Sequence, residues 1–422
     1  MAKLNTEINN MVVKETMTTA RDSFLKLKPS DPRDIHEVLI AIHQNNLDQL
    51  HDTLMDRGTP GHPLYQQWLS FEQIGEMIRN DEALTSVESW LKSESIEVTW
   101  RSPRGEYIKA RTRIEERERV LGTRFYEWQD STDKGNSVHH RSESYSVPSS
   151  LSEHISAIFN TCQVPPVIKR HYAFVNITRS KVPQRYVKTC QLSNQCEVSV
   201  PFINSLYGIS SNAGSTVLSQ AVFETAGEGY LPSDLAAFQA AYGLPNQAAL
   251  NVGMTPPTSC STSTCPEGSL DIQYLSGLAQ QTPSYFWYTD TPNTDVFFNF
   301  LVQVASSSKP PTSLSISWGS YEDNYPRSFL DAFNTEAMKV TAMGVTIFAA
   351  SGDDGVAGYN CQCTADSSSK YSLWGGDNAW TGNGYFAQYP ASCPYVVTVG
   401  ATQGPENGLS EMASQVNNHF LN

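Results

Sequence analysis

The chain has 422 residues, 39% of them hydrophobic and 17% charged, with a formal net charge of −14. That length exceeds one ordinary domain and sets an expectation of two or three. The acidic balance argues against nucleic acid and anionic membrane as partners, no transmembrane run occurs, and the charge suits a protein that works at low pH, where part of it is neutralised.

Residues 1–32 are polar and patternless, so they are expected to be disordered or spurious. The pattern sharpens at Ile35. Val38, Ile40 and Ile42 alternate as in a strand with one buried face, then Leu47, Leu50 and Leu54 recur at helical spacing until Gly58. Ser70 and Gln73 make a capping box ahead of Phe71, Ile74, Met77 and Ile78. A helix near 87–91 leads to strands at 96–100 and 107–111, a charged helix at 113–121 and a strand at 124–128. The order β-α-α-β-β-α-β predicts an α+β, ferredoxin-like unit. Residues 130–145, with His139 and His140, read as a solvated polar loop, 150–159 as a helix, and 176–200 as an exposed, cleavable linker.

From Val217 the rhythm changes. Strands are predicted at 217–223, 249–252, 285–288, 313–318, 345–350 and 395–399. Between them fall helices capped by Ser233, begun by Pro266, and spanning 294–305 and 326–343. Alternation of this kind means a parallel α/β sheet with helices on both faces. The active site of such a sheet lies beyond the carboxyl ends of its strands.

There are eight cysteines. Cys260 and Cys265 flank one polar loop, Cys190 and Cys196 another; loops closed in this way read as disulfides and an oxidising compartment, with scattered thiols as the alternative. Asn176-Ile177-Thr178 is an N-glycosylation acceptor, whereas the N-terminus lacks the apolar stretch of a signal peptide.

Three places could carry chemistry. Glu267 and Asp271 lie four apart at a helix start, so both carboxylates share one face; close carboxylates favour a shared proton, although two solvated helix acids have the same spacing. Ser351-Gly352-Asp353-Asp354-Gly355 follows an apolar strand, either as a ligand-approaching turn or as a plain Asx turn. Ser315-Ile316-Ser317-Trp318-Gly319 ends another strand, where backbone can pair with an extended peptide or simply finish a buried strand. No histidine occurs between His171 and His419, so a Ser-His-Asp triad there has no base, and no metal or cofactor motif is present.

Taken in order, Glu267-x-x-x-Asp271, SISWG at 315–319, FAASGDDG at 348–355 and YPASCPYVVTVGAT at 389–402 resemble the sedolisin family of serine-carboxyl peptidases, especially its tripeptidyl peptidase branch. LYQQWLSFEQI at 64–74 and VSVPFINSLYGI at 198–209 resemble that branch's propeptide and mature start. The resemblance implies a propeptide domain at 33–175, a processing linker at 176–200 and a subtilisin-like peptidase domain at 201–422. Glu267 would be the general base, Asp271 would orient it, and Asp353 would be a protonated oxyanion-hole donor. Ser317, Trp318 and Gly319 would line the substrate cleft.

The same resemblance implies a peptide or unfolded-protein substrate, a propeptide docked on the peptidase domain, and a lysosomal or secreted location. The family's nucleophile lies in an SGTSAS-like segment after VGAT, and its calcium site comes later still. Neither segment is found here, so the peptidase domain is expected to be C-terminally incomplete and the chain inactive as it stands. The alternative is a non-catalytic, propeptide-containing binding or inhibitory product.

Overall fold

The computed structural model describes residues 10–17, 23–131, 137–165, 198–260, 265–290, 295–353, 371–372, 379–380, 387–405 and 410–414. Asn176, Cys190, Cys196, Cys361, Cys363 and most of the expected linker lie outside the described residues.

The first unit runs β1 (Met11–Thr16), β2 (Phe24–Pro29), β3 (Ile35–Ile42), α1 (Leu47–Gly58), α2 (Phe71–Ile78), α3 (Asp81–Ser93), β4 (Glu97–Arg101), β5 (Tyr107–Arg113), α4 (Ile114–Leu121), β6 (Tyr126–Asp130), β7 (Val138–Arg141), β8 (Ser144–Pro148) and β9 (Ile155–Phe159). Four strands form an antiparallel sheet in the order β4-β5-β3-β9, a ferredoxin-like arrangement whose fourth member is β9 and not the strand predicted at 124–128, which as β6 pairs with β2 and β7. Helix α2 starts with the expected capping box: Gln73 N–H donates to Ser70 Oγ at 3.2 Å, and Ser70 N–H donates to Gln73 Oε1 at 2.8 Å.

Three expectations are corrected here. The stretch 1–32 contains β1 and β2, which pair with β8 and β6; distant partners hold these strands, so local periodicity did not reveal them. The segment 150–159 is a short 3-10 turn followed by β9, not a helix. Ile155, Ala157, Ile158 and Phe159 are all buried, and an apolar run buried on both faces has no period that separates strand from helix. The polar stretch 130–145 holds β7 and the start of β8, with His139 buried and His140 half-buried.

The second unit runs α5 (Val200–Tyr207), β10 (Gln220–Glu224), α6 (Pro232–Ala241), β11 (Leu250–Gly253), α7 (Pro266–Leu278), β12 (Ser284–Tyr288), α8 (Val296–Ala305), β13 (Ser313–Ile316), β14 (Ser320–Tyr321), α9 (Arg327–Ala342), β15 (Thr346–Ala350), β16 (Tyr371–Ser372), β17 (Ala379–Trp380), β18 (Gln388–Tyr389) and β19 (Val397–Val399). Six strands form a wholly parallel sheet in the order β11-β12-β10-β13-β15-β19. The first strand in sequence, β10, is central, so the chain turns in opposite directions on its two sides. Such a switch point opens a crevice at the carboxyl ends. Phe223 faces Phe297 and Phe300 of α8, while its neighbour Val222 faces Leu235 of α6 and Ile272 of α7. Helices therefore cover both faces, as a buried parallel sheet requires. Helix α6 opens on Pro232, and no side chain caps it, so the expected role of Ser233 is not fulfilled.

Strand β3 joins the two units through its period of two. Val38, Ile40 and Ile42 enter the first unit's own core beside Val87, Leu91 and Ile158. Leu39 and Ala41 face the other way and pack with Tyr107 and Phe159 against Phe298, Val302 and Phe329 of the second unit. Close by, Trp68 lies over Gly344, where an added Cβ would fall 2.4 Å from the indole.

At the centre of this interface is a buried ion cluster. Lys339 Nζ lies 3.1 Å from Glu106 Oε1 and also pairs with Glu336, while Tyr107 OH donates to Glu336 Oε1 at 2.6 Å. Arg104 sits 3.5 Å from Glu106. Burial pushes the Glu106 carboxyl up, but Lys339, the Ser102 hydroxyl and Arg104 outweigh it and bring it down to about 2. Removing one partner of a buried pair leaves an uncompensated charge. Lys339→Met is therefore expected to cost about 3 kcal/mol in urea unfolding at neutral pH. Glu106 stabilises the docked form fully above its ordinary value of 4.5, and this contribution is lost as pH falls towards about 2. The penalty of the variant should shrink over that same acid range.

Candidate active site

The carboxyl ends of the central strands gather five acids: Glu224, Glu228, Glu267, Asp271 and Asp353. Glu224 is the last residue of β10 and is fully buried. Its Oε2 accepts a hydrogen bond from Trp318 Nε1 at 2.9 Å. Its Oε1 meets no donor, and its carboxyl faces that of Asp271, so the two are matched only when they share a proton. Trp318 is itself 3% exposed and packed in the core. Its ring serves packing and its N–H serves Glu224, whereas the cleft-lining role expected of residues 317–319 concerns their backbone.

Glu267 and Asp271 lie one turn apart at the start of α7. That helix begins at Pro266 with no side-chain cap from Cys265. Instead the buried Glu228 accepts from Gly268 N–H at 3.4 Å, so a carboxylate stands at the positive end of the helix. Gly268 is required there, since a Cβ would approach the Gly229 carbonyl oxygen to 2.6 Å. The Cys260–Cys265 disulfide closes the loop just before it, as expected from the cysteine spacing.

Ser317 follows β13 and ties its end to helix α7, donating from Oγ to Asp271 Oδ2 at 2.6 Å. Burial, then the charges of Asp271, Asp353 and Glu228, push Glu267 up to about 8, against a hydrogen bond from Ser317. Burial likewise pushes Asp271 up to about 6, against hydrogen bonds from Ser317 and Glu224. Burial and the Asp271 charge hold Glu224 well above the ordinary carboxyl range. The cluster is thus a proton store. At pH 4 to 5 Glu267 carries its proton, and it can act as a base only after releasing it.

Asp353 lies just past β15, exposed, after Gly352 in a left-handed turn (φ 90°), and near enough to Glu267 for its charge to be felt. Gly319 lies against the Tyr389 carbonyl, 3.0 Å from where a Cβ would sit. Of the sequence-derived candidates, the fold brings Glu267, Asp271, Ser317 and Asp353 together, while Trp318 acts from behind them. Sequence reasoning missed Glu224 and Glu228. In FETAGE at 223–228 Glu224 closes the first strand of the parallel sheet and Glu228 follows four residues on, and nothing in that pattern marks either.

Replacing Asp271 by Asn should lower the Glu267 value from about 8 towards the ordinary range, read by carbon NMR of the labelled carboxyl. Because Glu267 is raised above its ordinary 4.5, its stabilising contribution is complete below 4.5 and is lost as pH rises through about 8.

Residues 22–164 match the family described as Pro-kumamolisin, activation domain. The chain is 28% identical to tripeptidyl-peptidase sed1 of Aspergillus fumigatus, over 94% of this chain and 69% of that protein. It is 26% identical to tripeptidyl-peptidase 1 of Dictyostelium discoideum, over 88% and 62% respectively, and 22% identical to tripeptidyl-peptidase 1 of Bos taurus, over 93% and 66%. The chain thus spans roughly two thirds of the length of these curated relatives. Among solved structures it is similar to the Pseudomonas sedolisin (serine-carboxyl proteinase) complexed with two molecules of pseudo-iodotyrostatin, at TM-score 0.35 and 21% identity, over 46% of this chain and 51% of that one. The chain thus carries a pro-kumamolisin-type activation domain in its first third and is similar along nearly all of its length to tripeptidyl-peptidases.

Proposed function

We propose that this chain is the proenzyme form of an acid serine-carboxyl peptidase that removes tripeptides from free N-termini of peptides or unfolded proteins. The observation that carries the reading is the Glu267–Asp271–Ser317 array at the carboxyl ends of a parallel sheet, with Asp353 beside it. Glu267 is the general base once deprotonated, and Asp271, held by Ser317, orients it. Asp353 donates to the developing oxyanion when protonated, which suits acid conditions.

No serine of this chain is assigned as nucleophile. The Ser317 hydroxyl is held by Asp271, and Ser410 and Ser414 lack the Gly-Thr-Ser context. The docked first unit supports a propeptide that stays in place until processing. The Cys260–Cys265 disulfide supports a lysosomal or secreted location. The calcium that the family resemblance implies finds no group of three or more His, Cys, Asp or Glu side chains placed to hold it among the described residues, so no step is derived through it.

A chimera joining this chain to the C-terminal third of the Aspergillus relative tests the reading. It should hydrolyse an N-terminal tripeptide reporter at acid pH, with Glu267→Gln lowering kcat about a thousandfold. The chain alone should leave the reporter intact. A folded chimera with no acid activity, or one indifferent to Glu267→Gln, would count against the assignment.

A further inference from the structure

The activation domain buries a cationic cluster that neither the candidate active site nor the docking interface uses. His36 lies on β3, on the core-facing side shared with Val38, Ile40 and Ile42, and is 4% exposed. Neither ring nitrogen makes a hydrogen bond. Arg117, on α4, is fully buried beside it; its Nη2 donates to the carbonyls of Ala110 and His36, and its Nε and Nη1 are unpartnered. Arg141, on β7, is also buried and is held by the carbonyls of Gln163 and His140. The His140 ring stands edge-on at 6.1 Å, and Phe125 packs at 4.9 Å. Asp34 and Glu127 face His140 rather than His36. The backbone of Asn160 is the group beside His36 that favours a charged ring.

We infer that His36 is an acid sensor: its protonation unfolds the core of the activation domain and thereby loosens that domain from the peptidase unit. A charged ring at this position would have only the Asn160 backbone to favour it and would face two guanidinium groups in a medium that screens poorly. Burial, then Arg117 and Arg141, accordingly hold His36 well below 6.5. Above about pH 6.5 the folded and unfolded forms bind the same number of protons at this site. Below it the unfolded chain takes a proton that the folded domain refuses. The folding constant then drops about tenfold per pH unit, down to the folded pKa.

Coupling to release follows from strand geometry. His36 shares a face with the residues of the domain's own core, and the alternate residues Leu39 and Ala41 hold the peptidase unit. Losing the first packing removes the frame for the second. The interface acid Glu106 responds only at much lower pH, while Glu15, raised by its burial, works in the opposite direction. The inference rests on residues 22–164 being an activation domain held against a peptidase domain. Its test reads folding alone, so it can fail without touching the enzymatic assignment.

Hydrogen-exchange protection factors of β3 and β5 amides in the full chain should be measured between about pH 7 and about pH 5, for the unaltered chain and for His36→Leu. The unaltered chain should lose about tenfold more protection per pH unit than the variant. Equal slopes would overturn the proposal. If His36→Leu does not fold, NMR titration of the His36 ring in the unaltered chain decides. A ring that stays neutral until the domain opens supports the sensor, and a ring that titrates near 6.5 in the folded chain overturns it.

Discussion

Both halves of this protein are arranged around charges taken out of water without enough opposite charge beside them. In the second unit the unmatched groups are the carboxyls of Glu224, Glu267 and Asp271, close to one another. In the activation domain they are Arg117, two of whose guanidinium nitrogens have no partner, and His36, neither of whose ring nitrogens has one. Burial penalises the charged form in each case, so the acids keep protons and the histidine refuses one. At the interface between the units, by contrast, charges are buried with partners, in the Lys339, Glu336, Glu106 and Arg104 cluster.

The sheet topology produces this arrangement. A parallel sheet whose first strand is central directs the ends of β10, β13 and β15 to one crevice. Each strand delivers one group there: Glu224, Ser317 and Asp353. Helix α7, begun without an ordinary cap, adds Glu267 and Asp271 on one face. The apolar side of the same sheet is covered by α8 and α9, whose outer surfaces receive Leu39, Ala41 and Phe159 of the activation domain. The base pair and the docked domain are thus attached to opposite ends of one layer of packing.

How much of this the sequence reveals depends on where each residue's partner lies. Helix α2 was legible because its capping box is written within four residues. The strands of the parallel sheet were legible as apolar runs between helices, although β10 begins at Gln220, with Val217 left 88% exposed. Strands β1 and β2 were not, because their hydrogen bonds come from β8 and β6, more than a hundred residues away. Glu267, Asp271 and Asp353 could be picked out by spacing and by position after a strand. Glu224 could not, since an acid at the end of a strand is ordinary until Trp318 and Asp271 are seen against it. Likewise the role of Trp318 turns on its N–H reaching across to β10. His36 alternates with Val38 and Ile40 as a core position would, but its lack of a partner is visible only in three dimensions.

If unmatched buried charge governs both units, acid should move their stabilities in opposite directions. The direct measurement is thermal unfolding of the full chain followed by hydrogen-exchange mass spectrometry, peptide by peptide, at about pH 7.5 and about pH 5. The account predicts that peptides from β3, β5 and α4 lose their protection at a lower temperature in acid, and that those from β10 and α7 lose it at a higher one. Both sets shifting the same way would contradict it.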